Sequence, residues 1–441
     1  MRKSITKVNV SLVGGVLVLG MIVMGSTLAA EQEKASEVAE PETPASIQAY
    51  ERLLAEIEGR EVAEPGVGAS SVVPEDAKDI VAGYKHLFAH VQEAVAPFEA
   101  TAGDIIGKDP KEWTDSKKAK VAEFLAANED LISEIRGMAA RGGPAHALDF
   151  SKGFAMLLPH LARMRSCARL LRADAAVNAT EGNHAAAVDD IIAGMKLGDA
   201  LALEPVLISQ LVRIAIYGIM CNGVEGSLDG ADLSTELTDR LMAQVAQGDH
   251  RESFSESFAG ELYFGRQLFS AVRSGDRSGV PEGVDLGPLR EEDELVYVGI
   301  MKGFIAASKL PYYEAALKLH ELEQETEGLP GTMTYSRQLL PALTRACQAQ
   351  ARHEAMLDLM QLGILLEQYK ARTSSFPDTL DAIAGDLGGS VPFDPFSGKS
   401  YRYRPLGTTF LLYSIGANRL DDGGTHDFRE GDIAWRGQEK E

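Results

Sequence analysis

His86 and His90 stand four residues apart, and Glu93 follows three positions later in the stretch HLFAHVQE. On a helix these three share a face, which is ligand spacing for a transition metal. One helix supplies too few fixed ligands, so a metal there needs donors from elsewhere in the chain. Without them the trio is an ordinary half-exposed face. His353-Glu354 lacks the second histidine of a zinc protease. No Gly-x-Ser-x-Gly elbow, Walker loop, His-Glu-x-x-His or dinucleotide fingerprint occurs. Arg213 lies in the most apolar helical stretch, where an unpaired charge is very costly. It needs an oxygen partner, for which Glu204 or Asp199 is placed, or else it serves an anion or peptide pocket. Cys167, Cys221 and Cys347 each sit in apolar helical context, with no Cys-x-x-Cys pair. Buried free thiols are the expectation, with one bridge as the alternative in an oxidising compartment. Trp113 and Trp435 read as packing residues.

The elements that must position these groups follow from composition and periodicity. The chain has 441 residues, 45% of them hydrophobic and 24% charged, which allows two or three ordinary globular domains. With 43 Lys and Arg against 65 Asp and Glu, its net charge is −22. That balance argues against nucleic acid as the main partner. Arg2, Lys3 and Lys7 precede an uncharged run from Val8 to Ala30. This is the pattern of an export signal, or of a membrane anchor if it is left uncut. Either places the body outside the cytoplasmic membrane, periplasmic or attached to it and facing outward. Residues 31–75 read as an acidic flexible tether with one short helix near Ile47–Ile57.

Residues 76–335 read as an all-α bundle. Phe154, Leu157, Leu158, Leu161, Met164, Ala168 and Leu171 fall at helical spacing and predict a helix over Ser151–Leu171. Residues 173–201 resemble one tetratricopeptide hairpin, turning at Glu-Gly-Asn, though no repeat at that family's period accompanies it. Val206–Met220 is apolar nearly all round and predicts a central buried helix, with Pro205 in its first turn. Ser274–Glu294, rich in Gly and Pro, reads as a loop, either structural or a lid.

From Ser336 the grammar changes. A long helix is predicted over Leu339–Arg372, stopped by Ser375-Phe376-Pro377, with short strands at Tyr401–Arg404, Phe410–Ser414 and Ile433–Trp435. Four pieces then occur in order: LLEQYKARTSSFPDTLDAI, VPFDPFSGKSYRYRP, FLLYSIGAN and GDIAW. They resemble the "YxxDxxxYP" helix exit with its "LxAL", the "PxDPWGxxYxY", the "FDxxSxGxDG" and the "DDIxNW" of the major pseudopilin of type II secretion systems. The resemblance covers roughly residues 345–436. It implies a small α+β domain over 336–436, a long helix on an antiparallel sheet, with a tail at 437–441.

The same resemblance implies a bound calcium ion in the loop between the last two pieces. Asn418 falls where the family's first aspartate sits, and Asp432 falls on the aspartate before the isoleucine. Asp421 and Asp422 match by type inside the loop. Calcium takes six to eight oxygen ligands at flexible spacing, and Asp427 and Glu430 add further oxygens. Asn418 and Gly431 replace expected acids and lower the charge of the site. An acidic solvated loop without an ion is the alternative. The N-terminus lacks the family's leader and assembly-helix motif, which argues against polymerisation into a pseudopilus. The whole architecture resembles exported planctomycete-type proteins, which supplies no biochemical function. The expected function is non-enzymatic: an envelope binding or assembly protein with a calcium-stabilised domain, whose partner is an envelope or secretion-associated protein. The alternatives are an envelope hydrolase with its site in the helical domain, or a secretion-system component.

Overall fold

The computed structural model describes residues 77–227, 233–248, 250–275, 290–425 and 431–435. The signal or anchor segment, the tether and most of the 274–294 loop lie outside these residues. So do Asp427, Glu430 and the tail. Twelve α-helices and one three-stranded sheet are present among the described residues. The helices are α1 Lys78–Ala102, α2 Asp115–Ala127, α3 Glu129–Arg141, α4 His160–Thr180, α5 His184–Ala202 and α6 Leu207–Ser227. They continue with α7 Thr235–Val245, α8 Arg251–Ser274, α9 Glu291–Ser308, α10 Tyr312–Glu327, α11 Thr334–Leu339 and α12 Leu343–Thr373.

The hairpin of α4 and α5 forms where its sequence cue lies. Gly182 takes φ +81°, the left-handed conformation that lets Glu181-Gly182-Asn183 reverse the chain. The helix predicted from Ser151 begins only at His160. Gly153 (φ 49°, ψ −132°) breaks a preceding 3-10 turn, and Pro159 sits at the N-cap of α4. Leu157 therefore falls outside the helix and is 67% exposed, while Leu161, Met164, Cys167, Ala168 and Leu171 remain in the core. Similarly, α12 starts at Leu343, because Pro341 separates it from the short α11.

Helix α6 is long and apolar enough to cross a membrane by length and composition, and most of that stretch is buried inside the protein. It packs on α4, α5, α8 and α12. Gln210 bridges the break before it, donating from Nε2 to the carbonyls of Leu201 and Glu204 at 2.9 and 2.7 Å. Both carbonyls also accept backbone amides, Leu201 O from Glu204 N at 3.1 Å and Glu204 O from Val206 N at 2.8 Å, so Gln210 adds a second donor to each. All three cysteines are buried and unbridged.

A second apolar cluster is built on α8 and α9, with Phe254, Phe258, Phe269, Tyr297 and Phe304 at its centre. Asp293 in the first turn of α9 fastens α11 to it. Its carboxylate accepts from the amides of Tyr335 and Ser336 at 2.9 and 3.0 Å and from Ser336 Oγ at 2.5 Å.

The sheet runs β1 (Arg402–Pro405), β2 (Phe410–Ser414), β3 (Ile433–Trp435), antiparallel throughout. Arg402 pairs with Tyr413, and Ser414 with Ile433. The arginines of β1 point outward and Tyr403 inward, the alternation that the strand period requires. Helix α12 carries the sheet on one side and α6 on the other. Gly363 permits this approach: a Cβ there would lie 2.2 Å from Nε1 of Trp435. Apolar residues of α4–α6, α12 and the sheet accordingly form one continuous cluster.

Candidate functional site

The loop after β2 carries three of the four expected ligand residues, with Asp432 at the start of β3, and their surroundings differ. Asp432 is fully buried at the start of β3. Its Oδ2 accepts from the Gly424 amide at 2.7 Å, whereas its Oδ1 is buried with no hydrogen-bond partner. Burial raises the Asp432 carboxyl above its ordinary range. The Gly424 and Asp422 amides oppose this, and the nearby Asp422 and Asp421 charges add to it. Gly416 holds φ +63° directly against the Gly431 carbonyl, so only glycine fits where the β2 exit passes the β3 entry.

The other three residues are exposed. Asp422 receives Asn418 Nδ2 at 2.9 Å, and Asn418 Oδ1 accepts the Leu420 amide at 2.9 Å. Asp421 accepts from Tyr413 Oη at 2.8 Å, from Arg402 Nε at 3.1 Å and from the Gly423 amide at 3.1 Å. The Tyr413 hydrogen bond leads the groups that hold its carboxyl below the usual range.

Among the described residues no three His, Cys, Asp or Glu side chains converge on a common ion position, and within this loop Asp432 and Asp422 interact as a carboxylate pair. One has a buried oxygen that meets no donor, and the other lies close enough to repel it electrostatically. Asp421 is less committed, because Arg402 already neutralises it.

A groove of about 310 Å³ lies where the bundle meets the C-terminal module. Pro311, Tyr313, Pro392, Phe393 and Pro395 contribute to its walls, with Phe393 62% exposed. Arg251, Glu354 and Asp358 also line it. Arg251 forks onto Glu354 through Nε and Nη2 at 3.0 and 2.8 Å, and Asp358 accepts from the buried Tyr401 hydroxyl at 2.7 Å. The Tyr313 amide donates to Pro395 O at 2.9 Å, tying α10 to the module.

A polar chain descends from this groove into the core. Gln350 Nε2 donates to Glu354 at 3.1 Å, and Gln350 Oε1 accepts from Arg213 Nη2 at 3.0 Å. Arg213 Nε also donates to Gln210 Oε1 at 2.9 Å. His353 Nε2 lies 3.0 Å from Gly248 O, to which it donates, and 3.3 Å from Arg213 Nη1. Burial, then the Arg213 charge, hold this imidazole well below its ordinary pKa. Arg213 therefore meets amide oxygens of α6 and α12. Glu204 turns instead to His160 Nε2 at 3.0 Å and to Ser209 Oγ at 2.5 Å. Asp199 holds Tyr217, His250 and Gln244. The groove acids carry no distinctive local motif; their common cue is the four-residue spacing of Glu354 and Asp358 on α12.

A further carboxylate cluster joins α3, α4 and α5. Arg136 Nη2 lies 2.7 Å from Asp174 and 2.6 Å from Asp190, and Asn178 Nδ2 donates to both. Burial, reinforced by Asp174 and opposed by Arg136, pushes the Asp190 carboxyl up to about 8.

No family model, curated protein or solved structure matches the chain.

Proposed function

We propose that this chain is a non-enzymatic cell-envelope binding or assembly protein, exported or tethered through its N-terminal segment. Its C-terminal module, pseudopilin-like in motif order, is stabilised by calcium. The observation that carries the reading is Asp432: fully buried, with one carboxylate oxygen that meets no donor and acidic neighbours that raise its proton affinity. Asp432 and Asp422 would hold the ion, with Asn418 and Asp421 as further loop oxygens. Bound calcium would be structural, pinning the β2–β3 connection and coupling ion binding to folding. The groove supports binding over hydrolysis. Acid–base hydrolysis needs two carboxylates facing each other across a cleft, one of them ready to take or give a proton. Here Glu354 is forked onto Arg251 and Asp358 accepts from Tyr401. The apolar and proline-rich walls suit a polypeptide segment of an envelope or secretion-associated partner.

The test is calorimetric titration of the metal-stripped chain with calcium, beside its thermal melt. One ion per chain, a raised melting temperature and loss of both in Asp432→Ala are expected. Equal melting in calcium and in chelator, with no heat of binding, would overturn the reading.

A further inference from the structure

The histidine pair of α1 finds in the fold the partner that one helix could not provide. Glu134 of α3 reaches between the two rings. Its Oε1 lies 2.9 Å from His86 Nδ1 and its Oε2 lies 2.8 Å from His90 Nδ1. Glu93, the third member of the sequence trio, is exposed and takes no part in these contacts. We propose that His86, His90 and Glu134 form a binding site for a divalent transition metal of the zinc class, clamping α1 to α3.

The donor chemistry selects that class. Two imidazole nitrogens and one carboxylate are borderline ligands, suited to zinc, nickel or copper rather than to calcium or magnesium. Three protein ligands with a fourth position left to water is a recurrent zinc arrangement.

The geometry is close but not yet closed. With metal–ligand distances of about 2.0–2.2 Å, tetrahedral ligands sit roughly 3.3 Å apart. The two nitrogen–oxygen separations are about half an ångström shorter, as direct hydrogen bonds between these groups require. Among the described residues no three such side chains already converge on a common ion position. Closure needs side-chain movement, and the His86 side chain, 78% exposed, is the freest of the three to move. His90 and Glu134, at 28% and 27% exposure, are the more fixed members.

Asp130, one turn before Glu134, lies 3.9 Å from His90 Nε2. A carboxylate facing the nitrogen that does not bind the metal orients the ring and raises its basicity. Burial alone would raise the Glu134 carboxyl, but the two imidazole hydrogen bonds outweigh it and hold the group lowered.

The test is titration of the full chain, stripped with chelator, with zinc chloride at pH 7.5, followed by calorimetry and by the visible absorption of cobalt in place of zinc. One ion per chain is expected. His86→Ala and Glu134→Gln should each weaken binding at least tenfold. His86→Ala removes an exposed side chain, so its fold is kept, and matching circular dichroism checks this. Absence of zinc uptake by the wild type overturns the proposal. So does uptake that His86→Ala and Glu134→Gln leave unchanged, since the ion would then sit elsewhere on the acidic surface. This outcome is separate from the calcium reading, because the two sites share no residue.

Discussion

Asp190 offers the sharpest test of the bundle's electrostatics. Its side chain is fully buried between α3, α4 and α5, beside Asp174 and Arg136. Its carboxyl is raised to about 8, first by burial and then by Asp174. In the unfolded chain the same group titrates near 3.9. Between these two values the folded state binds a proton that the unfolded state has released. Stability associated with that proton is fully present below about pH 4 and is lost as pH rises toward 8. The limiting slope is about 1.4 kcal/mol per pH unit, or roughly 2.5–3 kcal/mol between pH 5 and 7. Asp190→Asn imitates the protonated form and removes the titration. Urea unfolding followed by circular dichroism at pH 5, 6, 7 and 8 should show the variant gaining on the wild type with each step. A comparison within each pH cancels groups common to both proteins, including His353, whose lowered pKa works the opposite way. A difference independent of pH would refute the reasoning. A difference of opposite sign would mean that Asp190 is ionised when folded and that its pairing with Arg136 outweighs its burial.

Four further outcomes rest on the packing. Arg213→Ala should cost about 3–5 kcal/mol in urea unfolding, by the cavity it leaves and the amide oxygens it strands, while Arg213→Met should recover part of that loss. The same variants should let the His353 imidazole titrate at higher pH, because a neighbouring positive charge is gone, and a proton NMR titration reads this directly. Asp293→Ala should cost about 2–4 kcal/mol in urea unfolding, since the Tyr335 and Ser336 amides lose their acceptor in a buried setting. Gly363→Ala should cost about 1–3 kcal/mol and shift the fluorescence of Trp435, because the added methyl enters the indole's space.

The local grammar of the chain was legible without a structure. The apolar face of Leu161–Leu171, the Glu-Gly-Asn turn, the buried α6 and the strands Phe410–Ser414 and Ile433–Trp435 follow from spacing and turn chemistry, which act over a few residues. Where local signals compete, spacing misled. The helix expected from Ser151 starts at His160, because Gly153 and Pro159 interrupt an otherwise continuous apolar pattern. The four acidic-loop residues could be named, yet their inequality could not. Asp432 is buried only because β3 docks against β2 and α12, while Asp421 is neutralised by an arginine on β1.

The same division runs through every candidate site. Sequence determined that Arg213 is buried and must find oxygen. Only the tertiary fold chose Gln350, 137 residues away, and sent Glu204 and Asp199 to other partners. Sequence placed His86 and His90 on one helical face. Only the packing of α3 beside α1 set Glu134 between them, from 48 and 44 residues away. Spacing along a chain records which side chains share a face. Partner identity and proton affinity depend on what the opposing element brings, and on how much water is excluded when the two close.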